Sequence, residues 1–147
     1  MAAFLVVAPF TLIRTTRPSP VDGIALQQRA GGARVFVDSA GRERIFRGTN
    51  AVVKGPPWHP DTESFSTDVS MAEEDFKWMR KMGLNLLRLG VMWPGVEPIQ
   101  GEYNESYLDQ IDTIVTRAAD YGVHTLLDMH QVLHPRISLE SFVPNAA

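Results

Sequence analysis

The 147-residue chain contains no cysteine, which excludes a disulfide framework, a thiolate zinc site and a cysteine nucleophile. A basic surplus is missing too. Lysine and arginine number 14 against 17 aspartates and glutamates, a formal net charge of −3, and the charges are dispersed, so no nucleic-acid-binding face is expected. No apolar run approaches the roughly 20 residues of a membrane-spanning helix. The apolar stretch 2–13 is interrupted by Pro9 and has no basic residue ahead of it, with Arg14 and Arg17 following instead. It is a poor match to a secretory signal, and the sequence leaves localisation open, with a secreted and a membrane-peripheral protein both allowed. Neither Gly-x-Gly-x-x-Gly nor a phosphate-loop motif occurs, so the fingerprints of dinucleotide and nucleotide binding are absent.

What is present is the composition of an ordinary soluble globular domain, 44% hydrophobic and 21% charged, which rules out disordered, collagenous and coiled-coil classes. Residues 1–32 read as a tether, because Pro18, Pro20, Gly23, Gly31 and Gly32 stand where apolar periodicity is slight. The folded domain is expected over 33–147. Arg34–Val37 and Glu43–Arg47 are β-type runs around a turn in which Gly41 takes positive φ, which predicts a hairpin. Residues 49–70, with Pro56, Pro57 and Pro60, predict a long loop, and loops of that length tend to be functional, which singles out Lys54, Trp58 and His59.

Ser70 and Glu73 have the spacing of a capping box, Gly83 suits a helix end, and Phe76, Met79 and Met82 are expected to face the core. Asn85–Val91 reads as a strand apolar on both faces, as parallel strands are. A second helix is predicted over Ser106–Tyr121, with an apolar stripe of Leu108, Ile111, Ile114, Val115 and Ala118 and Gly122 closing it. Val123–Met129 follows as another buried strand. This alternation is that of a parallel α/β sheet, and without nucleotide fingerprints the (β/α) barrel remains. A whole barrel needs about 250 residues and eight strands, so the expected fold is part of a (β/α)8 TIM barrel, about three βα units preceded by a β-hairpin.

Barrel sites sit at the C-terminal ends of strands, here Asn50–Lys54, Arg88–Trp93 and Asp128–Gln131. Arg88 lies between Leu86 and Gly90 on one strand face, where a guanidinium requires partners. Asp128 supplies one, and a structural ion pair is compatible with a site role. Asp128 and His130 share one side of an extended strand, where the imidazole is either a satisfied structural group or a donor to a hydroxyl-rich ligand. His130 and His134 are four apart, but Pro135 and the lack of a glutamate after His130 disagree with metalloprotease spacing. No metal and no cofactor is expected.

Four segments together, Arg44–Asn50, Asn85–Pro98, Gly101–Asn104 and Leu127–Gln131, resemble the N-terminal third of glycoside hydrolase family 5 in its endoglycoceramidase-like branch. The resemblance spans Val35–Gln131 and is most specific at Trp93, Glu97, Pro98, Gly101 and Tyr103. It implies a retaining hydrolase cleaving between a glycan and a ceramide-like aglycone through two glutamates about 5–5.5 Å apart. In that family the glutamates follow the fourth and seventh strands. They are therefore expected beyond Ala147, and the chain alone is expected to be inactive; Glu97, Glu102 and Glu105 are read as loop carboxylates. The resemblance further implies that Arg88 supports a catalytic carboxylate, with Asp128 and Trp93 also supporting the site. It implies that His130, Gln131 and Lys54 contact sugar. Val132 stands where relatives carry an aspartate that also touches sugar.

The expected partner is thus a glycan or glycolipid, with no nucleic acid and no transmembrane segment, and open sheet edges allow self-association. The alternatives are a non-catalytic carbohydrate- or glycolipid-binding or barrel-completing fragment, and a self-contained three-layer α/β domain.

Overall fold

The computed structural model describes residues 21–130. The apolar stretch 2–13, Gln131, Val132, His134 and the tail beyond them lie outside the described residues. Two strands, β1 (Ala25–Gln28) and β2 (Arg34–Val37), form an antiparallel pair with Ala25 opposite Val37 and Gln28 opposite Arg34. A parallel sheet follows in the order β3 (Gly48–Ala51), β4 (Leu86–Met92) and β5 (His124–His130). Helix α1 (Glu73–Lys81) connects β3 to β4, and the short α2 (Trp93–Val96) and α3 (Glu105–Asp120) connect β4 to β5.

The hairpin differs from the expected one. Arg34–Val37 pairs with Ala25–Gln28, inside the segment read as a tether, because Gly31 and Gly32 are the turn: Arg29 donates to the Ala33 carbonyl at 2.8 Å and Gly32 has φ +81°. Glu43–Arg47 forms no strand and contributes one bridge, Val37 to Glu43. Two local demands pull it away. The buried Asp38 carboxylate closes the intervening turn by accepting from the amides of Ala40 at 3.0 Å and Arg42 at 2.9 Å, while Asn85 ties Arg47 and Ile45 to the start of β4. The first barrel strand is instead Gly48–Ala51, in part of the segment expected to be loop. Its four residues carry no apolar signal, and Gly48 is required there because a Cβ would lie 2.1 Å from the Leu86 carbonyl oxygen.

The first helix starts at Glu73 with Ala72 as its cap, so Ser70 and Glu73 do not form the expected box. Asp75 takes that role, its Oδ2 accepting from the Ala72 amide at 2.8 Å and from the Ser70 hydroxyl at 2.7 Å. Phe76 and Met79 face the core as expected, whereas Met82 caps the helix end and is 64% exposed. Leu87, Leu89 and Val91 of β4 are buried against Phe76, Met79, Ile111, Ile114 and Ala118 of the helices. β5 is an edge among the described residues, and its Leu126, Leu127 and Met129 are more than half exposed rather than buried.

Candidate functional site at the strand ends

Alternation along a strand and the parallel register decide which side chains share a face. Leu87, Leu89 and Val91 take the helix side, so Arg88, Gly90 and Met92 take the other, beside Leu126, Asp128 and His130 of β5. Arg88 is level with Leu126 and one step below Asp128, whose register partner is Gly90. Its guanidinium reaches that step, with Nη2 2.5 Å from Asp128 Oδ2. Asp128 Oδ2 also meets His130 Nδ1, making a row Arg88–Asp128–His130 along the inner face toward the strand C-termini.

The row has a definite chemistry. Asp128 pairs with an arginine whose side chain is 40% exposed, and Arg88 Nη2 and His130 Nδ1 both lie against the same carboxylate oxygen. With Nδ1 facing Asp128, the other ring nitrogen of His130, Nε2, is the one left to meet a ligand hydroxyl. The structure thus brings Arg88, Asp128 and His130 together. It does not join Lys54 or Trp93 to them by a hydrogen bond or ion pair: Lys54 is exposed in the loop after β3, and Trp93 opens α2 with 43% exposure. Gln131 lies outside the described residues.

The nearby glutamates have structural work. Glu97 Oε1 accepts from the Gly101 amide at 2.6 Å, where Gly101 has φ +82°, closing the turn between α2 and α3. Glu105 opens α3, where a negative charge favours the helix N-terminus. Trp58 packs against the core with φ +71°, a strained value for a residue with a side chain, and His59 Nδ1 lies 2.8 Å from the Pro60 carbonyl oxygen.

The residue that sequence reasoning missed is Tyr107. It is buried, and its hydroxyl accepts from the Met92 amide at 2.8 Å and donates to the Trp58 carbonyl at 3.2 Å, linking the end of β4 to the loop after β3. Burial raises the phenol above its ordinary value, with the Met92 amide opposing. The signal was there: Tyr107 extends the stripe of Ile111, Ile114 and Ala118 one turn back, and a phenol on an apolar stripe must find polar partners. Among the described residues no group of three or more His, Cys, Asp or Glu could hold a metal ion, and no helix is long and apolar enough to cross a membrane.

The family model for cellulase (glycosyl hydrolase family 5) matches residues 37–143. The endoglycoceramidase of Hydra vulgaris is 51% identical over 107 residues, 72% of this chain and 20% of that protein. Endo-glycoceramidase II from Rhodococcus sp., solved as a lactosyl-enzyme intermediate, aligns with TM-score 0.53 and 31% identity over 67% of this chain and 21% of its own. A crystal structure of endogalactoceramidase aligns with TM-score 0.56 and 24% identity over 75% and 23%. The chain spans about a fifth of the length of the curated relative described above. A parallel β3–β4–β5 sheet with its helices on one side, matched in this way, is part of a (β/α)8 barrel, and the chain belongs to glycosyl hydrolase family 5.

Proposed function

We propose that this chain forms the sugar-holding wall of a retaining glycoside hydrolase that cleaves the bond between the glycan and the ceramide of a glycosphingolipid. The observation that carries the reading is the Arg88–Asp128–His130 row on the inner face at the strand C-termini. In the reaction Arg88 holds a catalytic carboxylate in place, Asp128 orients Arg88 and His130, and His130 Nε2 bonds a sugar hydroxyl. Lys54 and Gln131 add sugar contacts from the adjoining loops, and Trp93 supports the site at the end of β4. The relatives named endoglycoceramidase support the substrate class, and the lactosyl-enzyme intermediate of the Rhodococcus enzyme supports a covalent, retaining course.

Retaining hydrolysis needs two carboxyl groups, one as acid and base and one as nucleophile. The strand residues on the inner face offer a single one, Asp128, already engaged by Arg88 and His130. On this reading the acid/base and nucleophile glutamates lie beyond Ala147, and the 147-residue chain alone is expected to be inactive.

The test replaces the matching segment of the Hydra vulgaris enzyme with residues 35–131 and measures glycan release from lactosylceramide. The chimera is expected to hydrolyse, and Arg88→Ala or His130→Ala in it to lower kcat/KM by about 100-fold through a misplaced reacting centre. A folded chimera indifferent to both substitutions overturns the role of the row. Release by the 147-residue chain above a heat-treated control overturns its inactivity.

A further inference from the structure

Between the loop after β3 and the first half of α3 lies an open groove of about 510 Å3 that is lined by none of Lys54, Arg88, Trp93, Asp128 and His130. Val53, Pro56, Pro57 and Val69 contribute apolar surface to it, and His59, Asp61, Glu63, Ser106 and Gln110 contribute polar groups.

The groove is preformed. The loop that makes it has no regular structure over most of its length, yet it is fixed to α3 at three points. The Thr62 hydroxyl donates to Gln110 Oε1 at 2.9 Å, Arg117 Nη1 donates to the Thr62 carbonyl at 2.6 Å, and Tyr107 holds the Trp58 carbonyl. Thr62 itself is buried. A loop pinned by a buried polar set keeps its concavity without a ligand, as binding clefts of this size do.

Its lining selects a ligand class. Asp61, held ionised by the amides of Glu63 and Ser64, stands with Glu63 against any anion. Gln110, which lines the groove, accepts from Thr62 through its oxygen and has amide N–H groups to donate, and Ser106 adds a hydroxyl that donates or accepts. Carboxylate acceptors, amide donors, a hydroxyl and the flat faces of two prolines together fit a neutral, polyhydroxylated ring.

We propose that this groove is a second glycan-binding site, taking one or two sugar residues of a neutral oligosaccharide against α3. It stands independently of the role given to Arg88, Asp128 and His130.

The experiment titrates the isotope-labelled 147-residue chain with lactose, at a concentration where sedimentation shows a monomer, and follows amide resonances. Saturable shifts are expected at Glu63, Ser106 and Gln110, with a Kd in the millimolar range and little change at raised salt, since the ligand carries no charge. Ser106→Trp, a substitution at an exposed position that fills the groove, should weaken binding by about 10-fold or more, and Glu63→Gln by about 3-fold, both with native spectral dispersion. Arg88→Ala should leave the groove shifts in place. Shifts centred on Arg88 and His130 and abolished by Arg88→Ala overturn the groove while supporting the strand-end site. No saturable shift at the groove, or binding abolished by salt, overturns it as well.

Discussion

Tyr107 shows how one side chain sets the geometry of the strand ends. Its hydroxyl is held between the Met92 amide and the Trp58 carbonyl, and its ring lies so close to α2 that a Cβ on Gly95 would be 2.4 Å from Cε2. Glycine is required at 95 for that approach, not for its backbone freedom. Tyr107→Phe takes the hydroxyl from the buried Met92 amide and removes one bond from the Trp58 carbonyl, which costs about 1–3 kcal/mol. Gly95→Ala forces the ring outward, an overpacking that costs about 1–3 kcal/mol. Urea denaturation of each measures the loss, and in a Tyr107→Leu background Gly95→Ala should cost clearly less than alone, because the two act through the same ring. Equal costs in both backgrounds would assign the Gly95 effect to the backbone. Arg88 was legible at this scale because a guanidinium among buried strand residues has no solvent-side explanation. Tyr107 was not, because its partners are backbone groups distant in sequence.

At the scale of elements, legibility followed the amount of periodic apolar sequence. α1, α3 and β4 each bury one face through recurring apolar residues, and their positions agree with expectation to within a few residues. β1 and β3 carry no such pattern: Ala25–Gln28 is a strand because a glycine turn delivers β2 beside it, and Gly48–Ala51 because β4 approaches closer than a side chain allows. Segments of this kind are decided by their neighbours. The hairpin then docks on the sheet through aromatic edges, Phe36 on Phe46 at 5.4 Å and Phe46 on His124 at 5.3 Å between ring centres. Burial, with Arg44 nearby and Asp22 opposing, holds His124 below the ordinary histidine value of 6.5. The folded chain therefore binds this proton more weakly than the unfolded chain. The stability His124 contributes is full above about pH 6.5 and is lost as the pH falls toward the folded-state value, with no further change from this group below it. Melting temperature should fall between neutral and mildly acid pH, and His124→Phe, which keeps an aromatic edge there, should flatten that slope. Parallel slopes in the two proteins would assign the acid sensitivity elsewhere.

At the scale of the molecule, the outstanding feature is the uncovered flank of β5. Parallel strands are ordinarily buried on both faces, yet among the described residues β5 pairs only with β4, and Leu126, Leu127 and Met129 are 52%, 55% and 52% exposed. Leu127 and Met129 are level with Leu89 and Val91, which the helices cover, so the apolar surface continues from the core to the edge. Contiguous apolar surface beside unpaired strand amides is the combination that drives edge-to-edge association. The 147-residue chain is accordingly expected to self-associate as its concentration rises, with sedimentation velocity showing larger species. Replacing Leu127 and Met129 by lysine should shift the population back to monomer, since a charge on each exposed position opposes pairing without touching the buried residues of β4. A wild-type chain that stays monomeric and melts cooperatively would instead mean that residues outside 21–130 cover β5. The barrel-completing alternative would then lose its physical motive, and the Arg88–Asp128–His130 row would stand on a sheet that closes its own edge.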